Sequence, residues 1–325
     1  MNSITAKDIK KAGLALALPA IVFILIYALA PQRFGFYNLP ILLQQAIAPA
    51  ILAWGLCFQL KVGHWDFSVG AVFLLSAIVG GNLALMLGLG VIGTIILCSM
   101  VGLVLGVITG GIYTALKIPS IIVTIGMMLI LESISLKVFR GRVFFPSEMT
   151  YLGKFPYNVI VGLVIFAITY IMYNYLILGF QVRAVGNSPP IAKLCGINTN
   201  KVKFMCFGIA GLYSGFYAFM SIGLTGYVRS TTNMQSMGII FSAIITAFIA
   251  LSLERIVNLI IGVYIGSVTI QMVKVGMIAI NLPAILQEVI IAVFLLVIMG
   301  WSLNSDVIKK SILRLKIRKT STTIK

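Results

Sequence analysis

Ten apolar runs, at residues 12–30, 42–60, 61–82, 91–116, 119–137, 157–178, 204–223, 238–251, 256–277 and 284–301, leave this chain little polar sequence with which to face water. Crossing about 30 Å of hydrocarbon takes about 20 helical residues, and most of these runs have that length. In hydrocarbon the backbone must bond to itself, which a helix does within one segment. The fold class that follows is all-α: a polytopic transmembrane helical bundle of about ten spans, occupying residues 1–303, with a basic tail at 304–325. Charged residues make up 10% of the chain, against about 25% in soluble domains. The first run resembles a signal peptide, with Ala28-Leu29-Ala30 as a cleavage site, but Pro31 would follow the cut. It is read as an uncleaved first span.

The formal charge of +17 would suggest nucleic acid in a soluble domain. Here no basic-aromatic surface accompanies it, and basic residues bordering membrane spans follow the positive-inside rule. With the amino terminus in the cytoplasm, 17 of the 24 basic residues fall on inner segments, which places both termini inside. The exceptions are Arg33, Lys137, Arg140, Arg142, Lys154, Arg229 and Lys274. Four of them lie between residues 137 and 154, so this outer loop is either a solvated surface or a basic face for an acidic partner, with Arg140, Arg142 and Arg229 as the outer docking candidates.

The longest polar interruption in the second half, residues 179–203, reads GFQVRAVGNSPPIAKLCGINTNKVK. Ser188 suits a helix cap, Pro189 a first helical position and Gly196 the residue just past the end, which predicts a short helix over residues 189–195. Ile191, Ala192, Leu194 and Cys195 would then be available to a partner's groove. Arg183 and Lys193 would face acids on the partner, with Ala184, Gly186, Ala192 and Gly196 permitting close approach. Residues 63–70, GHWDFSVG, place an acid, an imidazole and two glycines beside a span and predict a broken entry into the third helix.

Polar groups within or beside the spans are the candidates for a translocation path: Asp66, Ser68, Asn82, Thr124 and Gln271. Asp66 is equally suited to capping the broken helix, and the uncharged residues to bonding between helices. Glu132 and Glu288, near the outer ends of their spans, would either snorkel or pair with Lys137 and Lys274, or gate the path. His64 is the only histidine and the four cysteines have no metal-ligand spacing, so neither a metal site nor a catalytic residue is expected. Gly102, Gly106 and Gly110 give one face for close helix packing. A weak internal repeat relates residues 106–110 and 118–121 to 262–266 and 282–285, five spans apart, an offset that implies inverted halves.

Three patches together resemble ATP-binding cassette (ABC) importer permeases of the ribose, xylose and galactose class: residues 63–70, residues 118–126 (IPSIIVTIG), and Arg183-Ala184-Val185-Gly186-Asn187 continuing to Ala192 and Gly196-Ile197-Asn198. The resemblance implies an inner-membrane permease subunit that docks a cytosolic ABC ATPase dimer through residues 179–203, with Arg183, Gly186, Asn187, Ala192, Lys193 and Gly196 as its coupling residues. It also implies delivery of a monosaccharide or similar solute by an extracytoplasmic solute-binding protein, and pairing with a second permease copy or a different permease. The chain has no Gly-x-x-x-x-Gly-Lys-Ser/Thr loop, so ATP and Mg are expected on the partner ATPase and no cofactor on this chain. Residues 247–254, AFIALSLE, depart from the family's glycine-rich stretch, leaving either an asymmetric pair or a changed substrate. Branched-chain amino acids or nucleosides remain the alternative cargo. A self-sufficient ion-coupled carrier finds only two intramembrane acids to use.

Overall fold

The structure, a computed structural model, describes residues 6–254 and 256–300; Arg255 and the basic tail at 304–325 lie outside the described residues. Each apolar run carries a helix. In chain order these are α1 (Ala6–Leu29), α2 (Leu39–Gln45), α3 (Ile47–Lys61), α4 (Val69–Met86), α5 (Gly90–Leu116), α6 (Ser120–Lys137), α7 (Tyr157–Asn174), α8 (Ile177–Asn187), α9 (Pro189–Leu194), α10 (Thr199–Thr225), α11 (Met237–Leu253), α12 (Leu259–Ala279) and α13 (Ala284–Gly300). Among the described residues six helices are long and apolar enough to cross a membrane, and the bent pair α2–α3 makes a seventh when taken as one span; α11, α13 and the apolar part of α1 are shorter. The 47° bend of that pair falls where Pro49 has no amide hydrogen to give to Gln45.

Helices α3 and α10 form the centre. Trp54 on α3 is buried and its Nε1 donates to the carbonyl of Ile260 at 2.9 Å, fixing α3 against α12. α10 packs along α5, α3 and α4, while α11 packs on α12 and α3. The α5–α10 contact is backbone on backbone: a side chain at Gly106 would meet the carbonyl of Phe207 at 2.5 Å, and one at Gly102 would overlap that of Gly211. With lipid as apolar as the helices, this close packing is what holds them together.

The packing repeats with an offset of five spans. α4 and α5 against α10 are matched by α11 and α12 against α3. Each half also enters its third helix through non-helical chain, residues 62–68 before α4 and 230–236 before α11. The two helix starts meet, because a side chain at Gly70 would touch the carbonyl of Ser236 at 2.5 Å.

The bundle's two ends differ. At one lie α8, α9, the α3–α4 connection and the end of α11. At the other, β1 (Arg142–Phe144) pairs antiparallel with β2 (Tyr227–Arg229), placing Arg142 opposite Arg229. This two-stranded ribbon has no counterpart in the sequence expectation of helix alone.

Candidate functional site

The expected short helix is present as α9, ending at Leu194 rather than Cys195. Ser188 is extended (φ −160°, ψ 99°) and occupies the cap position, though its side chain makes no capping bond. At the other end Ile197 N donates to Ala192 O and Gly196 N to Lys193 O, both at 3.0 Å, with Gly196 at φ +80°. That closure needs the left-handed conformation glycine adopts freely. The polar chain before it, expected to be a loop, forms a second helix, α8, separated from α7 by an extended Leu176.

The geometry divides the expected coupling residues into two sets. Val182, Val185 and Ala192 are buried in the main core, and a side chain at Gly186 would overlap the carbonyl of Lys61. Arg183 also faces the chain itself: Nη1 donates to Tyr173 O at 2.7 Å, and the guanidinium lies over the rings of Phe180 (4.6 Å) and Tyr173 (5.1 Å). Ala192 and Gly186 therefore pack inward, and Arg183 is an internal strut. Asn187, Lys193, Cys195 and Gly196 are exposed, with Ile191 at 62% and Leu194 at 88%.

Two path candidates are occupied with holding a helix start. Asp66 is buried; its Oδ1 accepts from Ser68 N (2.8 Å) and Ser68 Oγ (2.5 Å), and its Oδ2 from Gln59 Nε2 (2.8 Å). Burial pushes its pKa up while the bonds from Ser68 and Gln59 oppose the shift. Thr124 Oγ1 reaches the carbonyls of Ile121 (3.3 Å) and Trp65 (3.5 Å). Asn82 ties α4 to the ribbon through Arg142 O at 2.9 Å, and Gln271 bonds Gln45 at 2.8 Å. Asp66, Ser68 and Thr124 thus gather at the 65–68 turn, whereas Asn82 and Gln271 lie apart from it.

His64 sits edge-on to Tyr113 and Phe207, with Tyr113 Oη 3.3 Å from its Nε2. Burial, then repulsion from Lys203, pulls its pKa down to about 4 from 6.5. Between those values the unfolded chain binds a proton that the folded one does not, so stability is complete above pH 6.5 and falls as pH drops toward 4. Thermal midpoints in detergent should fall between pH 7 and pH 5, and His64→Phe should flatten that fall; an unchanged slope in the variant would place the acid sensitivity elsewhere.

Against this geometry stand the relatives. Residues 38–299 match the family described as branched-chain amino acid transport system / permease component. The chain belongs to that permease family. It is similar to the ribose import permease RbsC of Escherichia coli K12 (25% identical over 290 residues, 85% of this chain and 88% of the relative). It is also similar to the fructose import permease FrcC of Rhizobium meliloti (24% over 284 residues, 80% and 78%) and the galactose/methyl galactoside import permease MglC of E. coli K12 (24% over 308 residues, 87% and 90%). No solved structure matches it. The permease is a multi-pass protein of the cytoplasmic membrane, one component of a transport system.

Two contacts of the permease have no local signal in its sequence. Lys61 Nζ bonds both carboxylate oxygens of Glu254, at 2.8 and 2.6 Å, and Tyr173 Oη joins at 3.1 Å. This knot ties α3, α7 and the end of α11 directly beside Gly186. Lys61 and Glu254 both end apolar runs on the same expected side, which is the one signal that could have paired them. Glu132, expected to pair with Lys137, instead accepts from the amides of Met234 (3.1 Å) and Ser236 (3.0 Å), where charge favours the start of α11. Glu288 is exposed on α13 and, among the described residues, makes no ion pair with Lys274.

Proposed function

We propose that the permease is the membrane subunit of an ATP-driven importer for a monosaccharide or similar small polar solute. The observation that carries this is α9: an exposed Ile191–Leu194 edge on a helix whose other side is anchored in the core beside the Lys61–Glu254 knot. An ATPase pair gripping that edge would transmit its closure through α8 and Lys61 to α3, α7 and α11, moving two packings of the bundle against each other. The solute class follows the relatives named above.

In this reading the bundle makes ten crossings with both termini and α9 in the cytoplasm, and two permeases, identical or different, enclose the path. ATP and Mg reside on the ATPase dimer, and this chain performs no catalysis. A solute-binding protein docks at the opposite end, where Arg140, Arg142 and Arg229 lie. The test is uptake by vesicles holding the permease with its co-purified partners. Uptake of a labelled monosaccharide should require ATP and the ATPase, and competition with ribose, fructose, galactose and leucine should assign the cargo class. Uptake without ATP that follows an ion gradient would overturn the reading.

A further inference from the structure

The arginines opposite α9 form a more specific arrangement than a docking surface requires. Arg142 and Arg229 stand directly opposite each other in the ribbon, and alternate burial along both strands puts them on the same exposed face. Like charges in that register repel. Arg140 joins them around a cavity of about 340 Å³ whose wall includes Ser230, Thr231 and Thr232. Among the described residues no carboxylate lies within ion-pairing distance of any of the three guanidiniums.

The backbone beneath is held in a costly shape. Phe139, Arg140 and Gly141 take three successive positive φ values, 48°, 56° and 67°, a left-handed conformation that crowds Cβ against the following carbonyl in the two residues that carry a side chain. Ser230 N fastens this turn by donating to Gly141 O at 2.8 Å. The hydroxyl of Thr231 is buried and has no partner. Strain, unneutralised charge and an unused hydroxyl converge on one cavity, and strain of this kind gathers at ligand sites.

We infer that this cavity is a binding site for a small oxyanion of the phosphate or carboxylate class, with Arg140, Arg142 and Arg229 as its charged walls. Guanidinium forks match such oxygens with paired N–H donors. The inference stands on the cavity's geometry and is independent of which solute the permease carries. One oxyanion would offset the repulsion between Arg142 and Arg229.

The test uses the full-length protein in nanodiscs of phosphatidylcholine, which presents no net anionic headgroup, titrated with inorganic phosphate by calorimetry at low salt. One saturable site per chain is expected, weakened by about tenfold or more in Arg142→Gln and in Arg229→Gln, since a charged hydrogen-bonded contact contributes about 1.5–3 kcal/mol. Arg142→Lys and Arg229→Lys, which keep the charge, should fold and retain part of the affinity. A ribose phosphate binding more tightly than inorganic phosphate would assign the site to an oxyanion carried on an organic solute; equal affinity would assign it to free phosphate. No saturable binding, or equal affinity in folded Gln variants, overturns the proposal. So does binding that needs phosphatidylglycerol or an added solute-binding protein, since the arginines would then serve a lipid or a protein carboxylate.

Discussion

Gly211→Leu should leave almost no folded permease in the membrane. A side chain at Gly211 would overlap the carbonyl of Gly102 and come within 2.8 Å of the Gly106 Cα, so the obstacle is backbone on the facing helix. Overpacking that displaces side chains costs about 1–3 kcal/mol. Here α5 itself must move, and it is packed along α4 as well as α10, which puts the cost at or above that range against a total stability of about 5–15 kcal/mol. Gly208→Leu on the same helix is the control, because its nearest neighbours, 3.4 and 3.6 Å away, are the side-chain ends of Val107 and Leu103, which can turn aside. Membrane levels by immunoblot and melting in detergent should separate the two variants clearly. If Gly211→Leu accumulates and melts like the native chain, α5 and α10 do not meet along their glycines.

Hydropathy made the helices legible because each must satisfy its own backbone in lipid, a local requirement written residue by residue. The glycine face of α5 was legible for a similar reason: spacing of four puts Gly102 and Gly106 on one side. Its partner was not, since Gly211 and Gly215 are identified only by contact. α9 shows the same division. Ser188, Pro189 and Gly196 announce where it begins and ends, but nothing local says that Ala192 faces the core while Leu194 faces out. The start of α8 was lost inside a run of apolar residues, because the break depends on an extended Leu176 rather than on a proline or glycine. Lys137 lies near Glu132 in sequence, whereas the amides that Glu132 bonds are more than 100 residues away and no local pattern announces them.

Asp66 bonds the amide of Ser68 at the start of α4, and Glu132 on α6 the amide of Ser236 at the start of α11, so each broken helix start is held by a buried carboxylate, both of them from the first half. The two starts touch at Gly70 and Ser236. The far end of α11 carries Glu254, bonded to Lys61 beside the α8–α9 pair. Packed contacts and hydrogen bonds in turn therefore connect α9 to the centre of the bundle.

Leu194→Asp should abolish ATP-coupled uptake while leaving insertion and melting unchanged. Leu194 is 88% exposed, so the change disturbs nothing within the chain. On a partner's groove it would bury an unpaired carboxylate where an apolar anchor belongs. Hot-spot losses of about 2–4 kcal/mol correspond to about 30- to 1,000-fold weaker association, enough to lose the ATPase during purification. Lys193→Gln, also exposed but charged and rim-like, should weaken the complex only slightly, mainly at low salt. Gly186→Trp is a poorer probe, because its side chain would strike the carbonyl of Lys61 and distort the root of the lever as well as its tip. Co-purification of the ATPase and uptake by the reconstituted complex give the two readouts. Loss of both with an intact, inserted permease assigns docking to α9. Uptake at the native rate in Leu194→Asp would mean the ATPase grips another surface, and the exposed edge of α9 would then lie against solvent.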